Sequence, residues 1–146
     1  MGHALYAAGL FEKSLDAFQK AGHLPGVVSV LEALGRFEEA LQIARDEEPN
    51  NPGYWVKRQA DILERLGQNQ EAVAILDHAQ PVKEKDALQL LVTKARVQFT
   101  DGDYVGARNT LQEMIGQYPD SKESEEAKSS IGNIDQLNRL KEAHTS

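Results

Sequence analysis

Apolar side chains recur along the chain at intervals of three and four residues, the spacing that one face of an α-helix produces. Almost no stretch shows the alternation of apolar and polar residues that is typical of a half-buried strand. The pattern therefore predicts an all-α chain. We expect helices near residues 2–8, 11–21, 25–34, 36–47, 53–66, 68–79, 85–100, 103–117 and 121–143.

Four glycines each follow an apolar helical stretch and precede a similar run of residues. They are Gly9, Gly35, Gly67 and Gly102. An aromatic side chain stands two residues after three of these glycines, and a small side chain stands five residues after all four. The aromatic residues are Phe11, Phe37 and Tyr104, and the small residues are Ser14, Ala40, Ala72 and Ala107.

Each recurring residue type suits a tight turn between two packed helices. Glycine allows the positive φ that such a turn requires. The aromatic and small side chains that follow are at helical spacing, so the small one lets two helices approach while the large ones fill the space beside it. Short connections make consecutive helices antiparallel hairpins. Because Gly9 and Gly35 are closer together than the other glycines, we expect the hairpin around Gly9 to have either a short second helix or a truncated turn at Ala21-Gly22-His23.

The segment Gly102-Asp103-Tyr104, with Ala107, Leu111 and Tyr118-Pro119, resembles a tetratricopeptide repeat, and residues 35–41 are similar. This resemblance implies a right-handed α-solenoid of about four helix-turn-helix repeats over residues 1–119, one around each glycine. Residues 120–146 are expected to form a C-terminal capping helix and tail. Acidic side chains shortly after Ser121 suit the positive end of that helix dipole.

The resemblance also implies a non-enzymatic module that binds a partner peptide or helix in a concave groove lined by the first helix of each repeat. The groove positions are Tyr54, Lys57, Arg58, Asp61, Glu64, Arg65, Gln89, Thr93, Arg96 and Phe99. Lys57, Arg58 and Arg96 are candidates for holding a partner carboxylate, and Tyr54 and Phe99 for packing an apolar side chain. The alternative for these residues is an ordinary solvated helix face with Phe99 in the core.

Two other functions remain open from the sequence. One is a structural coat or assembly segment that joins other solenoids, with self-association possible. The other is an accessory repeat region of a larger enzyme. A clamp for chaperone C-terminal carboxylates is not expected, because Asp61 follows Lys57 by one helical turn and would repel a carboxylate.

Composition narrows the partner class. The 146 residues carry a net charge of −7 and have no basic cluster, which argues against a nucleic-acid partner. No apolar run approaches 18 residues, so membrane insertion is not expected. The N-terminal residues do not form a signal peptide, and we therefore favour the cytoplasm, although a cysteine-free chain also suits the periplasm.

We find no pattern for catalysis, a cofactor or a metal. The run from Asp101 to Gly106 resembles the start of a calcium-binding loop, but Val105 and Gln112 fall where oxygen ligands are needed. The four histidines are far apart and have no second ligand at helical spacing. No glycine-rich phosphate loop or nucleophile motif is present. The sequence therefore predicts a protein that is not an enzyme.

Overall fold

The computed structural model describes residues 2–80 and 83–145, with side chains from residue 9 to residue 143 outside the gap. Helices and one 3-10 turn cover 86% of this part of the chain, and it contains no strand, which confirms the all-α helical-repeat prediction. The helices are α1 Gly2–Ala21, α2 Leu24–Ala33, α3 Phe37–Glu47, α4 Pro52–Arg65, α5 Asn69–His78, α6 Glu84–Thr100, α7 Tyr104–Gln117 and α8 Lys122–Thr145, with the 3-10 turn at Glu48–Asn50.

Four glycines end helices with the same backbone conformation. Gly22, Gly35, Gly67 and Gly102 have φ values of 68°, 76°, 78° and 82°. At each turn the residue after the glycine donates its N–H to the carbonyl oxygen five residues earlier, at 2.8 to 2.9 Å. This bond satisfies a carbonyl that the end of the helix leaves without a partner, and the left-handed residue that it needs is most readily glycine.

The hairpin predicted around Gly9 does not form. Residues 2–21 make a single helix, so the separate helices expected at 2–8 and 11–21 are wrong. Gly9 is exposed and does not have a positive φ. A lone glycine inside a helix costs only about 1 kcal/mol relative to alanine, which an otherwise helical sequence tolerates. The turn instead lies at Gly22, where the sequence predicted a truncated one.

Helices adjacent in the sequence pack against each other throughout, and α4 also contacts α6. The alanines five residues after three glycines, Ala40, Ala72 and Ala107, are fully buried, as their role in close helix packing requires. One apolar core extends from α1 to α6, with Val28, Ile62 and Leu63 at its centre. A second core joins α6, α7 and α8.

The C-terminal helix α8 packs against α7. The Ser124 hydroxyl is fully buried and lies 2.6 Å from the carbonyl oxygen of Tyr118, at the end of α7. Further along, the Arg108 side chain donates to Asp135 at 2.7 Å. Among the described residues, no helix is both long and apolar enough to cross a bilayer.

Candidate protein-binding surface

The predicted groove residues lie on α4 and α6, which contact each other directly. We call α2, α4 and α6 the first helices, because each leads into the glycine turn of a hairpin, and α3, α5 and α7 the second helices. Tyr54, Lys57, Arg58, Asp61 and Arg65 are on α4. Gln89, Arg96 and Phe99 are on α6.

Ion pairs join α2 to α4. Glu32 on α2 accepts from Arg58 at 2.9 Å and from Arg65 at 3.3 Å, and its side chain is only 10% exposed. Arg58 also donates to the Ser29 hydroxyl at 3.3 Å. The Arg65 guanidinium lies 5.0 Å from the centre of the Phe37 ring, so that its charge also faces an aromatic surface. One carboxylate therefore holds two arginines of the next first helix.

A similar arrangement joins α4 to α6. Arg96 on α6 donates to Asp61 at 2.8 Å and also to Glu64. Lys57 binds the second oxygen of Asp61 at 2.9 Å, so that Asp61 lies between two cations. We refer to these paired residues as the first-helix ladder: Glu32, Lys57, Arg58, Asp61, Glu64, Arg65 and Arg96.

The ladder changes how the predicted cations can act. Lys57, Arg58 and Arg96 each bind a carboxylate of the chain itself. A partner carboxylate would have to displace these internal pairs, or add a third charge to them. Bridging arginines that hold neighbouring helices in one register also restrict the sliding of one helix past another. The ladder is therefore better suited to fixing the shape of this face than to supplying free positive charge.

The other predicted residues are spread along the two helices. Tyr54 lies in the first turn of α4, edge-on to Trp55 with 4.9 Å between the ring centres. Phe99 is near the end of α6, and its ring centre lies 5.2 Å from that of Tyr104. Asp61 pairs with Arg96, and at 1.5 Å per residue this register puts Tyr54 and Phe99 about 15 Å apart along the axes. Gln89 is half-buried, and its carbonyl oxygen accepts from the Thr93 hydroxyl at 2.7 Å.

Phe99 and Tyr54 are exposed, by 40% and 39% respectively, as are several other large apolar side chains of the described residues. The interpretation of Phe99 as a core residue is therefore wrong. Its exposure suits the alternative prediction, a side chain available to a partner. Aromatic side chains of this kind are over-represented among the residues that dominate binding energies.

Beyond the ladder, an open cleft of about 320 Å³ separates α6 from α8. Apolar side chains from three helices line it: Val92, Ala95, Phe99, Leu111 and Ile134. Arg96, Ser130 and Asn133 supply its polar edge. We call this space the α6/α8 cleft. The predictions from the sequence did not include this cleft, because Ser130, Asn133 and Ile134 belong to a segment interpreted only as a cap.

A repeat-by-repeat comparison of the first helices explains where the ladder ends. The residue three positions before the glycine turn is Glu32 in α2, Glu64 in α4 and Phe99 in α6. The two glutamates bind arginines of the next first helix, whereas Phe99 leaves no carboxylate for α8. No ion pair joins α6 to residues 122–140 of α8. The change from Glu to Phe was the one signal in the sequence that pointed to the cleft.

Chemistry-bearing side chains elsewhere have local structural roles. The Asp103 carboxylate accepts the N–H of Gly106 at 2.9 Å and so caps α7, and Asp101 accepts from the Asn69 amide at 3.2 Å. His23 caps α2 in the same way by accepting from Gly26. Over the described residues, no group of three metal-ligating side chains converges.

The exposed ion pair between Arg36 and Glu39 shifts the pKa values of both side chains. The side-chain hydrogen bond from Arg36 lowers the pKa of Glu39, and the same bond raises the pKa of Arg36. Both groups lie at the start of α3, and their side chains are exposed to solvent. Their shifts therefore reflect a surface pair at a helix start and not an acid or base prepared for catalysis.

Comparison with known families agrees with this geometry. A family model described as tetratricopeptide repeat matches residues 85–121, which contain nearly all of α6, the Gly102 turn and α7. No curated protein matches the chain. Hairpins at Gly35 and Gly67 share the turn geometry and the buried alanine of the matched segment. Residues 85–121 therefore match a tetratricopeptide repeat, which supports the family resemblance that the sequence pattern indicated.

Proposed function

We propose that this chain is a non-enzymatic module that binds a segment of another protein along the face formed by its first helices. Tetratricopeptide repeats generally mediate protein–protein interactions, and the family is typically not enzymatic. The observation that carries the proposal for this face is the first-helix ladder. It holds α2, α4 and α6 in one register and leaves Tyr54 and Phe99 exposed on two of these helices.

A preorganised surface of this kind favours binding for an energetic reason. A partner that docks on it does not have to order the helices first, so less of the interaction energy is lost as conformational entropy. The exposed aromatic side chains can then provide anchors, and the paired charges around them can provide a polar rim.

The experiment is a capture assay with immobilised protein and quantitative mass spectrometry. Arg96→Ala and Tyr54→Ala should each reduce the capture of the same partner by at least tenfold. The matched control is Arg45→Ala, because Arg45 also bridges two neighbouring helices, through Glu71, and is 45% exposed against 47% for Arg96. Arg45 lies on the second helices, so its removal should leave capture unchanged.

Circular dichroism and melting curves must show that all three variants remain folded. Equal loss of capture on Arg45→Ala would place the interaction on the second helices and favour an assembly segment. We avoid Arg58→Glu in this test. Glu32 is 10% exposed and now binds Arg58 at 2.9 Å, so a glutamate at position 58 would place a second carboxylate near it. The repulsion would lower stability as well as binding.

A further inference from the structure

We propose that the α6/α8 cleft takes one large apolar side chain of a partner segment that carries a lysine or arginine about three residues from it. This inference rests on the proposed function and names the chemistry of the partner. Its basis is the difference between the successive contacts of the first helices. Two are closed by ion pairs, and the one beside α8 is an open apolar cleft.

The dimensions and lining of the cleft favour a single side chain. A volume of about 320 Å³ is at the lower end of the range for ligand pockets, so the cleft suits one anchor better than an extended ligand. Its walls are formed mainly by aliphatic carbons and the Phe99 ring. Burial of a leucine- or phenylalanine-sized group there would remove apolar surface from water on both partners, which favours binding.

The flank of α8 that borders the cleft continues as an apolar strip. Leu137 is four residues after Asn133, and Leu140 is three further on, so both share the side of the helix that carries Asn133. Both leucines are exposed. The side-chain amide of Asn133 has no hydrogen bond among the described residues, which leaves donors and an acceptor for the backbone of a bound segment.

Charge decides which residues should flank the anchor. The cation in the cleft lining, Arg96, already binds Asp61 and Glu64, so a partner carboxylate has no free charge to meet there. Glu126, in contrast, is exposed and has no ion pair among the described residues. It is four residues before Ser130 on the same flank, where a basic side chain can approach it.

The distance follows from helix and strand geometry. Glu126 precedes the centre of the cleft, near residue 132, by about six residues of helix, or about 9 Å at 1.5 Å per residue. An extended segment spans about 3.3 Å per residue, so that distance corresponds to about three residues between the anchor and the basic side chain. The net charge of −7 for the whole chain favours the approach of such a segment.

The probe is a phage-displayed library of random dodecapeptides, followed by fluorescence anisotropy with the synthetic form of the most enriched peptide. Enriched peptides should share one leucine, methionine, phenylalanine or tryptophan with lysine or arginine three to four positions away. Ser130→Leu, which fills the cleft from its α8 wall, should weaken binding at least tenfold. The matched control Ser129→Leu makes the same change on a different side of α8 and should have no effect.

Glu126→Lys tests the charge. It should weaken binding of the basic peptide about three- to fivefold, the range expected for a pair at a solvated rim. The same change at Glu38, an exposed residue of α3 that has no ion pair within the described part of the chain, should leave binding unchanged. Selection on Glu126→Lys protein should enrich acidic residues at the flanking position.

Several results would overturn the inference. They are the enrichment of no anchor-containing peptide, a preference for acidic flanking residues on the unaltered protein, or no effect of Ser130→Leu. Sedimentation equilibrium provides another: a dimer that Ser130→Leu dissociates would show that a second copy fills the cleft. Should peptides bind and be lost on Tyr54→Ala but not on Ser130→Leu, the proposed function stands and the cleft is not its anchor site.

Discussion

Replacing glycine by alanine at two sequence-equivalent positions should have opposite effects on stability. Gly9 and Gly67 each have a small side chain five residues later, but Gly9 is inside α1 whereas Gly67 has φ of 78° at a turn. A Cβ atom added at either position meets nothing within 4 Å, so packing does not enter the comparison. The difference comes from the backbone alone.

The expected magnitudes follow from that backbone difference. Gly9→Ala should raise the free energy of unfolding by about 0.5–1 kcal/mol, because alanine loses less conformational entropy in a helix. Gly67→Ala should lower it by about 1–2 kcal/mol, the cost of a left-handed conformation for a residue with a Cβ atom. In a domain of this size these changes shift the melting temperature up by about 1–4 °C and down by about 2–8 °C.

Urea unfolding followed by circular dichroism at 222 nm measures both changes under identical conditions. The double variant should show nearly the sum of the two effects, because the sites are in different helical hairpins. If Gly9→Ala destabilises the protein as much as Gly67→Ala does, then α1 is broken at Gly9. The hairpin predicted from the sequence would then be right, and the continuous helix wrong.

Three other substitutions test the packing and the ladder. Ala107→Leu should lower the free energy of unfolding by about 1–3 kcal/mol in thermal unfolding, because Ala107 is fully buried where two helices meet. The control Ala74→Leu, on the exposed side of α5, should be nearly neutral. Glu32→Gln should lower the free energy of unfolding by about 1 kcal/mol or more, because Arg58 and Arg65 lose the carboxylate that they share. This loss should be smaller in high salt, and the control Glu38→Gln should change stability little. Ser121→Ala removes the hydroxyl that accepts the N–H of the third residue of α8, at a cost of about 1 kcal/mol by the same assay.

The helical spacing of the groove residues predicted which side chains share one helix face, but not which side chains of other helices they bind. Helical spacing correctly placed Lys57 and Asp61 one turn apart on α4, and they form an ion pair. The same reasoning treated the cations as available to a partner. Glu32 was not among the expected groove residues, although it binds Arg58 and Arg65 from a position about thirty residues earlier.

The sequence by itself determined the helical class, the turns at Gly35, Gly67 and Gly102, and the buried alanines that follow them. Each depends on a local requirement, such as a positive φ or a small side chain at a helix crossing, and a local requirement leaves its mark in neighbouring residues. The start of the C-terminal helix was also predicted to within one residue, at residue 121 against Lys122.

Only the tertiary structure decided whether the chain turns at Gly9, which charged side chains pair, and where the α6/α8 cleft lies. Gly9 has the residue pattern of a turn, but the helix around it continues, whereas the chain does turn at Gly22. Pairing between Arg96 and Glu64 depends on the register of α4 and α6, which pack together although α5 lies between them in the sequence. Such a register is set by how all the side chains between the helices pack together, and no short stretch of sequence contains that information.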